Sequence, residues 1–313
     1  MWYIYYEEYD LIGQVIRLLY DAIIIGRGPA GISCAIYTTR ANLKTLVIGK
    51  NDSVLLKAGK VENYYGFEEP VSGRQLLEAG EKQALRLGAQ IVADEVVGLE
   101  KLDHFTVKCV NGEYRGKTVL LAPGAPVAKA PVPGIEAYEG MGVSYCTTCD
   151  GFFYRNRKVG VLGYTDYAVH EAMELLAFTR DVTIFTNGRD LSISPAFREQ
   201  MDAFRINTGK IKGLYGEGGL EGILFEDGTQ EALDGLFVAY GSASGVNFAM
   251  KMGILMNGKS IAFNERMETN ISGLFTAGDC TGVFKQIAVA VGQGALAARG
   301  MIEYVRKQGI PEE

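Results

Sequence analysis

The stretch DAIIIGRGPAG, residues 21–31, constrains the fold of this chain more than any other part of its sequence. Its four consecutive apolar residues predict a buried strand of a parallel sheet, and the residues that follow predict a helix. Gly26, Gly28 and Gly31 lie at the junction with GxGxxG spacing. The first glycine permits a tight turn, the second lets a pyrophosphate approach the main chain, and the third lets helix and strand pack closely. The stretch therefore predicts a dinucleotide-binding β-α-β unit, which the strand LKTLVIG (43–49) completes.

A second stretch, VLGYTDYAVHEAMEL at 161–175, has the outline of another such unit, with a strand, a glycine, a turn and an amphipathic helix. Two of its loop positions do not fit a bound dinucleotide. Thr165 places a branched side chain where the backbone should touch phosphate, and Asp166 suits the helix N-cap, where its carboxylate would occupy the anion site. We expect that no dinucleotide binds there, and the alternative is sequence drift in a working site.

These two units predict an α/β fold with two Rossmann-like nucleotide-binding domains of the three-layer ββα type, the second inserted into the first. Segments rich in small residues near 123–127 and 241–245 would be the crossings and hinges between them. The expected parts are an N-terminal extension (1–20), a discontinuous first domain (21–124 and 245–313) and an inserted domain (127–242).

Charge and hydropathy argue against two classes of partner. The net charge of −6 is opposite to the basic face that nucleic acid requires. Near the N-terminus, Glu7, Glu8 and Asp10 precede the apolar part, unlike the positive start of a signal peptide. Residues 11–20 are too short and too interrupted to span a membrane. We expect a cytoplasmic protein without a membrane partner, in which residues 1–20 form a short helix or an extension without a role.

Two of the five cysteines, Cys146 and Cys149, form a CxxC pair. In a chain with few cysteines this spacing predicts redox chemistry in a reducing compartment, because CxxC can close a small disulfide and lower the pKa of a thiol. A structural zinc site would need a second ligand pair, which His104 and His170 do not form, so we expect no metal. The remaining cysteines are expected to be small core residues: Cys34, Cys109 and Cys280.

Four motifs occur in an order and spacing that resemble a known family: GRGPAG, KVENYYGF, SYCTTCDGFFYRN and GLFTAGD. They are similar to motifs of the low-molecular-weight thioredoxin reductases, and the likeness covers roughly residues 20 to 310. CTTCDGFFYRN is the most specific of them, since a redox CxxC beside Asp-Gly-Phe-Phe is uncommon elsewhere. The resemblance implies a homodimeric flavoenzyme that reduces thioredoxin.

The resemblance also implies that the first domain binds FAD. The GRGPAG loop would hold its pyrophosphate, Asp279 its ribitol, and Lys285 with Gln286 would approach the isoalloxazine. The full set of residues expected at FAD is Gly26, Gly28, Pro29, Ala30, Gly31, Lys50, Asn63, Gly124, Gly278, Asp279, Lys285, Gln286 and Ile287. Three segments depart from the family's motifs: Ser53-Val54-Leu55, Ala122-Pro123-Gly124 and Lys285-Gln286.

By the same resemblance, Cys149 would face the flavin and Cys146 would exchange with the disulfide of thioredoxin. Asp150 would move the proton that a leaving thiolate needs, and a simple Asp-Gly turn is the alternative. Phe152 and Phe153 would either contact thioredoxin or form a buried aromatic pair.

The electron donor follows from the second loop. NADPH-dependent relatives carry GxGxxA there, followed by several arginines for the 2′-phosphate. Here Thr165 and Asp166 interrupt the loop, and Arg189 is the one basic residue of TNGRD. The chain therefore most resembles the ferredoxin-dependent flavin thioredoxin reductases, which implies that reduced ferredoxin donates electrons to FAD. The iron–sulfur cluster would lie on that partner, since this chain has no cysteine set for one.

Other functions stay open at this point. They are an NADPH-dependent thioredoxin reductase with an atypical nucleotide loop, a flavin-binding redox sensor without turnover, and a variant with a second FAD. Arg155, Arg157 and Lys158 would either dock an acidic ferredoxin or form an ordinary solvated face.

Overall fold

The computed structural model describes residues 8–9, 15–16, 18–124, 130–242, 245–258 and 260–308. The chain divides into two compact units, Met1–Ala125 with Ile254–Glu313 and, between them in sequence, Pro126–Gly253. An α/β fold with Rossmann-like parallel sheets, as predicted, is present in each unit.

The strands are numbered in chain order. The first ten are β1 (Glu8–Tyr9), β2 (Val15–Ile16), β3 (Leu19–Ile25), β4 (Thr45–Ile48), β5 (Gln90–Val92), β6 (Val96–Lys101), β7 (Phe105–Cys109), β8 (Glu113–Leu121), β9 (Val143–Ser144) and β10 (Val159–Leu162). The others are β11 (Val182–Phe185), β12 (Arg205–Asn207), β13 (Ile211–Tyr215), β14 (Gly222–Phe225), β15 (Gln230–Ala232), β16 (Gly235–Val238), β17 (Met256–Asn257), β18 (Ser260–Ile261) and β19 (Leu274–Thr276).

The α-helices are α1 (Pro29–Arg40), α2 (Gly73–Arg86), α3 (Thr147–Asp150), α4 (Asp166–Leu175), α5 (Gly245–Met252) and α6 (Ile287–Gln308). Short 3₁₀ turns also occur, and those that bear on the candidate site are Gly151–Tyr154 and Asp279–Thr281.

The sheet of the first unit is built around β8, which is long enough to serve two kinds of neighbour. Its second half lies parallel between β3 and β19, and β4 and β5 extend the sheet beyond β3. Its first half pairs antiparallel with β7, which pairs with β6. β6, β7 and the first half of β8 therefore form an antiparallel section of a sheet whose other strands are parallel.

The central strands of this unit are buried on both faces, as their continuous apolar runs predict. Ile23, Ile24 and Leu120 have no exposed surface, and α1 packs with α6 over one side of the sheet. Gly294 of α6 makes this packing possible, because a Cβ there would lie 2.1 Å from the carbonyl oxygen of Ala30.

The second unit contains a five-stranded parallel sheet in the order β12-β11-β10-β16-β9. A separate antiparallel sheet, β13-β14-β15, packs against it through Phe225 and Phe185, whose ring centroids are 6.1 Å apart. The helix α4 follows β10 directly, which is the strand–turn–helix arrangement that the sequence predicts for this segment.

The predicted domain boundary at residue 245 is wrong. Helix α5, Gly245–Met252, belongs to the second unit. Its Lys251 forms ion pairs with Glu171 and Glu174 of α4, a long-range contact that a segment of small residues does not reveal. The predicted hinges lie partly outside the described residues, at 125–127 and 243–244.

The described part of the N-terminal extension is not helical, so the first predicted alternative, a short helix, is wrong for these residues, while an extension without a role stays a prediction. β1 and β2 pair antiparallel, with Glu8 opposite Ile16. The predicted boundary at residue 20 is also too late, because Leu19 and Tyr20 already belong to β3 and pair with β8. Among the described residues there is no helix with the length and apolar character that a membrane span requires.

Two glycines of α6 provide a test of the α1–α6 packing. Gly294→Ala should lower the free energy of unfolding by about 1–3 kcal/mol, because the new methyl group overpacks against the Ala30 carbonyl. Gly292→Ala is the control: no atom lies within 4 Å of its added Cβ. That change should raise the free energy of unfolding by about 0.5–1 kcal/mol through helix propensity. Urea denaturation of the two apoproteins measures both values, and equal effects would contradict the described packing.

Candidate flavin site, cysteine pair and second nucleotide loop

The GRGPAG loop has the geometry that a pyrophosphate requires. A Cβ on Gly26 would lie 2.1 Å from the Ala122 carbonyl oxygen, and one on Gly31 would lie 2.0 Å from that of Gly26. At Gly28, by contrast, an added Cβ would meet no atom within 4 Å. Gly28 is the N-cap of α1 and has no side chain to bond the first helical N–H groups, and Pro29 follows it. The helix N-terminus is therefore open to an anion.

The expected ribitol segment lies beside this loop. A Cβ on Gly278 would be 3.2 Å from the Cβ of Ala30, so the AGD turn and the start of α1 are neighbours. The turn is held by Gln293, whose Oε1 accepts from the Gly278 N–H at 2.8 Å. Asp279 is half-buried in this turn. Sequence reasoning missed Gln293, because a buried glutamine within an Ala-rich helix carries no motif.

The residues expected near the isoalloxazine also come together. The Asn63 amide donates to Gln286 Oε1 at 2.9 Å across 223 residues of sequence. Ile287 begins α6 immediately afterwards, and Lys285 is exposed. Gly124 has φ +83° and open space around an added Cβ.

Lys50 is the exception within this set, because carboxylates already hold it. Its Nζ lies 3.0 Å from Glu95 and 3.7 Å from Asp52. Burial lowers the pKa of this amine, but Glu95 and then Asp52 more than offset that effect and raise it. The glycine loop, the AGD turn and the Asn63–Gln286 pair nevertheless fit FAD.

The cysteine pair forms a disulfide at the start of α3. Cys146 is the N-cap, and its Sγ accepts from the Cys149 N–H at 3.1 Å. Cys146 is buried and Cys149 is exposed. After reduction, the same N–H would stabilise a thiolate on Cys146.

Asp150 is oriented by a serine that sequence reasoning missed. The Ser144 hydroxyl donates to Asp150 Oδ2 at 2.6 Å, and the Cys146 N–H donates to Ser144 Oγ at 3.1 Å. Ser144 ends β9 and is buried. A carboxyl group is thereby fixed next to the disulfide turn. The detectable signal was only a serine two residues before the first cysteine.

The second nucleotide loop is closed by the protein's own groups. Thr165, the N-cap of α4, donates its hydroxyl to the Gly241 carbonyl oxygen at 2.5 Å. Asp166 is therefore not the N-cap, as predicted from sequence, but the first helical residue. Its Oδ1 accepts from the Ser194 N–H at 2.8 Å, and the residue is 8% exposed.

The segment 191–194, here called the strap, lies against this loop. The Ser192 N–H donates to the Tyr164 carbonyl oxygen at 2.8 Å, and Thr165 and Ser192 form a parallel β-bridge. Just before the strap, the Arg189 guanidinium lies 5.8 Å from the centroid of the Tyr164 ring and donates to the Tyr240 hydroxyl at 3.3 Å. The single basic residue of this segment is thus held by two tyrosines.

The aromatic pair after the cysteines is not buried. Phe152 is 57% exposed and Phe153 is 72% exposed. The basic residues that follow are engaged: Arg155 stacks over Phe152 at 4.7 Å, Arg157 pairs with Asp234, and Lys158 pairs with Glu231. This arrangement favours an ordinary charged face over a ferredoxin-docking patch.

The other three cysteines are buried, as predicted. Burial raises the pKa of the Cys34 and Cys109 thiols, with a further contribution from Asp94 at Cys109. Burial also raises the pKa of Cys280 to about 11.

Comparison with known proteins agrees with this geometry. Residues 20–294 match the pyridine nucleotide-disulphide oxidoreductase family. A thioredoxin reductase of Aquifex aeolicus is 34% identical, over 94% of this chain and 96% of its own length.

Two solved structures are also similar. The atypical thioredoxin reductase TRi from Desulfovibrio vulgaris Hildenborough is 43% identical with a TM-score of 0.89, over 93% of this chain and 99% of its own. A ferredoxin-flavin thioredoxin reductase from Clostridium acetobutylicum is 29% identical with a TM-score of 0.69, over 92% of this chain and 99% of its own. With its open FAD loop and its CxxC disulfide, this chain belongs to the low-molecular-weight thioredoxin reductases, FAD-binding flavoproteins that reduce disulfides.

Proposed function

We propose that this thioredoxin reductase takes its electrons from reduced ferredoxin and does not use NADPH. The observation that carries the proposal is the closed second nucleotide loop. Its Thr165 hydroxyl, Asp166 carboxylate and Ser192 N–H are all bonded within the protein.

A pyrophosphate would have to displace these bonds. At Gly28 of the first loop nothing stands near the backbone, whereas Thr165 fills the equivalent position of the second loop. Asp166 adds a negative charge in the first turn of α4. A phosphate charge about 4 Å from this carboxylate would cost on the order of 1–4 kcal/mol at surface-like dielectrics. The lost hydrogen bonds of the strap add to that cost.

The 2′-phosphate of NADPH would also lack its usual partners. Arg189 is the one basic residue after β11 in the segment TNGRD, and its guanidinium is engaged by Tyr164 and Tyr240. Bidentate phosphate contacts need a free planar guanidinium, usually more than one. The similarity to a structure described as a ferredoxin-flavin thioredoxin reductase supports a one-electron donor instead.

The chain's residues then act on the disulfide. The GRGPAG loop and the Asp279 turn would hold FAD, which would supply the two electrons that reduction of the cysteine pair requires. We assign to Asp150, held by Ser144, the proton for the leaving thiolate. The Cys146 thiolate, stabilised by the Cys149 N–H, attacks the thioredoxin disulfide and forms a mixed disulfide. Cys149 then attacks Cys146, which re-forms the internal disulfide and releases reduced thioredoxin.

The homodimer stays a prediction from the resemblance, and the cytoplasmic location stays a prediction from the sequence. A flavin-binding redox sensor is the less favoured function, because the disulfide, the oriented carboxyl group and the exposed aromatic pair are all present. Repeated turnover of thioredoxin by catalytic amounts of the protein would exclude the sensor.

An anaerobic titration of the flavin absorbance tests the electron donor. We expect micromolar NADPH and NADH to leave the flavin spectrum unchanged and reduced ferredoxin to bleach it. The control is dithionite, which should bleach the flavin completely. Rapid bleaching by NADPH would favour the NADPH-dependent enzyme with an atypical loop, and flavin quantified per denatured chain would reveal a second FAD.

Replacement of Ser144 tests the orientation of Asp150. Ser144→Ala should lower kcat with thioredoxin about tenfold, since a misplaced general acid loses part of the roughly 10²–10⁴-fold that acid–base catalysis contributes. KM should change little, and the fall in kcat should be smaller at low pH, where solvent protons replace the acid. Ser144→Thr keeps the hydroxyl and should retain most activity. An unchanged pH profile in Ser144→Ala would separate Asp150 from proton transfer.

The exposed aromatic pair predicts a contact with thioredoxin. Phe153→Ser should raise KM for thioredoxin about tenfold, as expected for loss of an aromatic contact in an interface. Reduction of a small disulfide such as DTNB should be unaffected. The control is Tyr65→Ser, which removes an even more exposed aromatic side chain from the first unit, 97% exposed against 72% for Phe153. If both variants behave alike, Phe153 has no specific role in docking.

A further inference from the structure

A buried polar cluster lies directly beneath the cysteine pair. Thr147 stands between the two cysteines in sequence and is 1% exposed. Its hydroxyl lies 2.6 Å from Glu171 Oε2 and 2.8 Å from Glu174 Oε2. Both glutamates are on α4, one turn apart, so this helix presents two carboxylates to the residue that links the cysteines.

The positive charge of the cluster comes from α5. The Lys251 ammonium forms ion pairs with Glu171 Oε1 and, at 3.2 Å, with Glu174 Oε2. The side chains of Lys251 and Glu171 are only 7% and 3% exposed. In such a buried pair the field of each charge is weakly screened by solvent. The preceding residue on α5, Met250, places its carbonyl oxygen 3.6 Å from Cys149 Sγ.

Two further titratable groups face the cluster. His170 lies 3.6 Å from Glu171 and 3.9 Å from Glu174. Burial, and then the two carboxylates, raise the pKa of Tyr167 well above its ordinary value. Burial alone would raise the pKa of Glu174, but Lys251, His170 and the Thr147 hydroxyl hold it below its usual range.

The cluster is not a metal site. His170, Glu171 and Glu174 have ligand atoms within 4.8 Å of one another. The Lys251 ammonium, however, already occupies the cation position between the two carboxylates. The charge balance of the cluster is therefore supplied by the chain itself.

We propose that Lys251 and Glu171 are positioning residues that set the reactivity of the Cys146–Cys149 pair through Thr147. The two carboxylates disfavour a thiolate at the neighbouring turn, and the buried ammonium offsets them. The bond from Thr147 keeps the turn at a fixed distance from these charges. The proposal rests on the exchange role assigned to the cysteines above, but it is independent of the electron donor.

Opposite charge changes provide the test. In the Cys149→Ser holoenzyme, iodoacetamide alkylation of Cys146 is followed against pH by peptide mass spectrometry. Lys251→Met should raise the apparent pKa of Cys146 by about one unit and slow alkylation at neutral pH about tenfold. Glu171→Gln should lower the apparent pKa of Cys146 and speed its alkylation at neutral pH. The double variant should return close to the parent, and Lys212→Met, at an exposed lysine of β13, should have no effect.

A second measurement uses the intact cysteine pair. Equilibration with dithiothreitol at a pH above the apparent pKa of Cys146 in both proteins should show that Lys251→Met shifts the thiol–disulfide equilibrium towards the disulfide about tenfold, which corresponds to ~30 mV for this two-electron couple. Glu171→Gln should shift it towards the dithiol.

The proposal is overturned if both single variants shift the apparent pKa of Cys146 in the same direction. It is also overturned if neither variant shifts this pKa while both melt at the same temperature as the parent. If Lys251→Met does not fold, Glu171→Gln and the double variant still test the proposal. The apparent pKa of Cys146 should be lowered in Glu171→Gln and close to the parent value in the double variant. Wild-type protein that exchanges with dithiothreitol but never reduces thioredoxin would overturn the proposed function alone.

Discussion

Both units depend on one close approach between backbone atoms. A Cβ on Gly26 would lie 2.1 Å from the Ala122 carbonyl oxygen, and a Cβ on Gly163 would lie 2.3 Å from that of Ala239. Each glycine follows the strand that leads into the unit's turn and helix, and each carbonyl follows the strand paired with it in parallel. Only glycine permits this contact, which fixes where α1 and α4 begin. The contact belongs to the fold, whether or not a ligand binds.

The two loops diverge two residues later. Gly28 leaves the N-terminus of α1 open. Thr165, by contrast, donates its hydroxyl to the Gly241 carbonyl oxygen and forms a β-bridge with Ser192 of the strap. The glycine that the turn needs is retained in both units, but the glycine that admits a phosphate is retained in only one. A β-α-β unit can thus keep its architecture after its ligand-binding surface is filled by its own chain.

The parts that sequence predicted are those set by local spacing. Buried strands, glycine turns and the CxxC pair each depend on residues within a few positions of one another. The AGD turn and the Asn63–Gln286 pair were reached only through the family resemblance, since 223 residues separate that pair. Lys251 lies 80 residues from Glu171. Because their ion pair holds α5 in the second unit, the observed boundary lies one helix after the predicted one.

The strap is an example of a contact that sequence analysis misses for another reason. It bonds through backbone N–H groups of Ser192 and Ser194, and every non-proline residue has such a donor. No residue type marks it, so the N-cap assigned to Asp166 from sequence was wrong. Ser144 was missed for the opposite reason: serine is common, and its role depends on β9 ending beside the cysteine turn.

The burial of Cys34, Cys109 and Cys280 has a consequence for the lifetime of the protein under oxidative stress. Peroxides and mixed disulfides react with accessible thiolates, and these three thiols are neither accessible nor ionised near neutral pH. Thiol oxidation and disulfide scrambling are therefore directed to the Cys146–Cys149 pair, which the proposed cycle re-forms. Among the cysteines, the sulfur that lies exposed, Cys149, therefore belongs to the pair that thiol–disulfide exchange can renew.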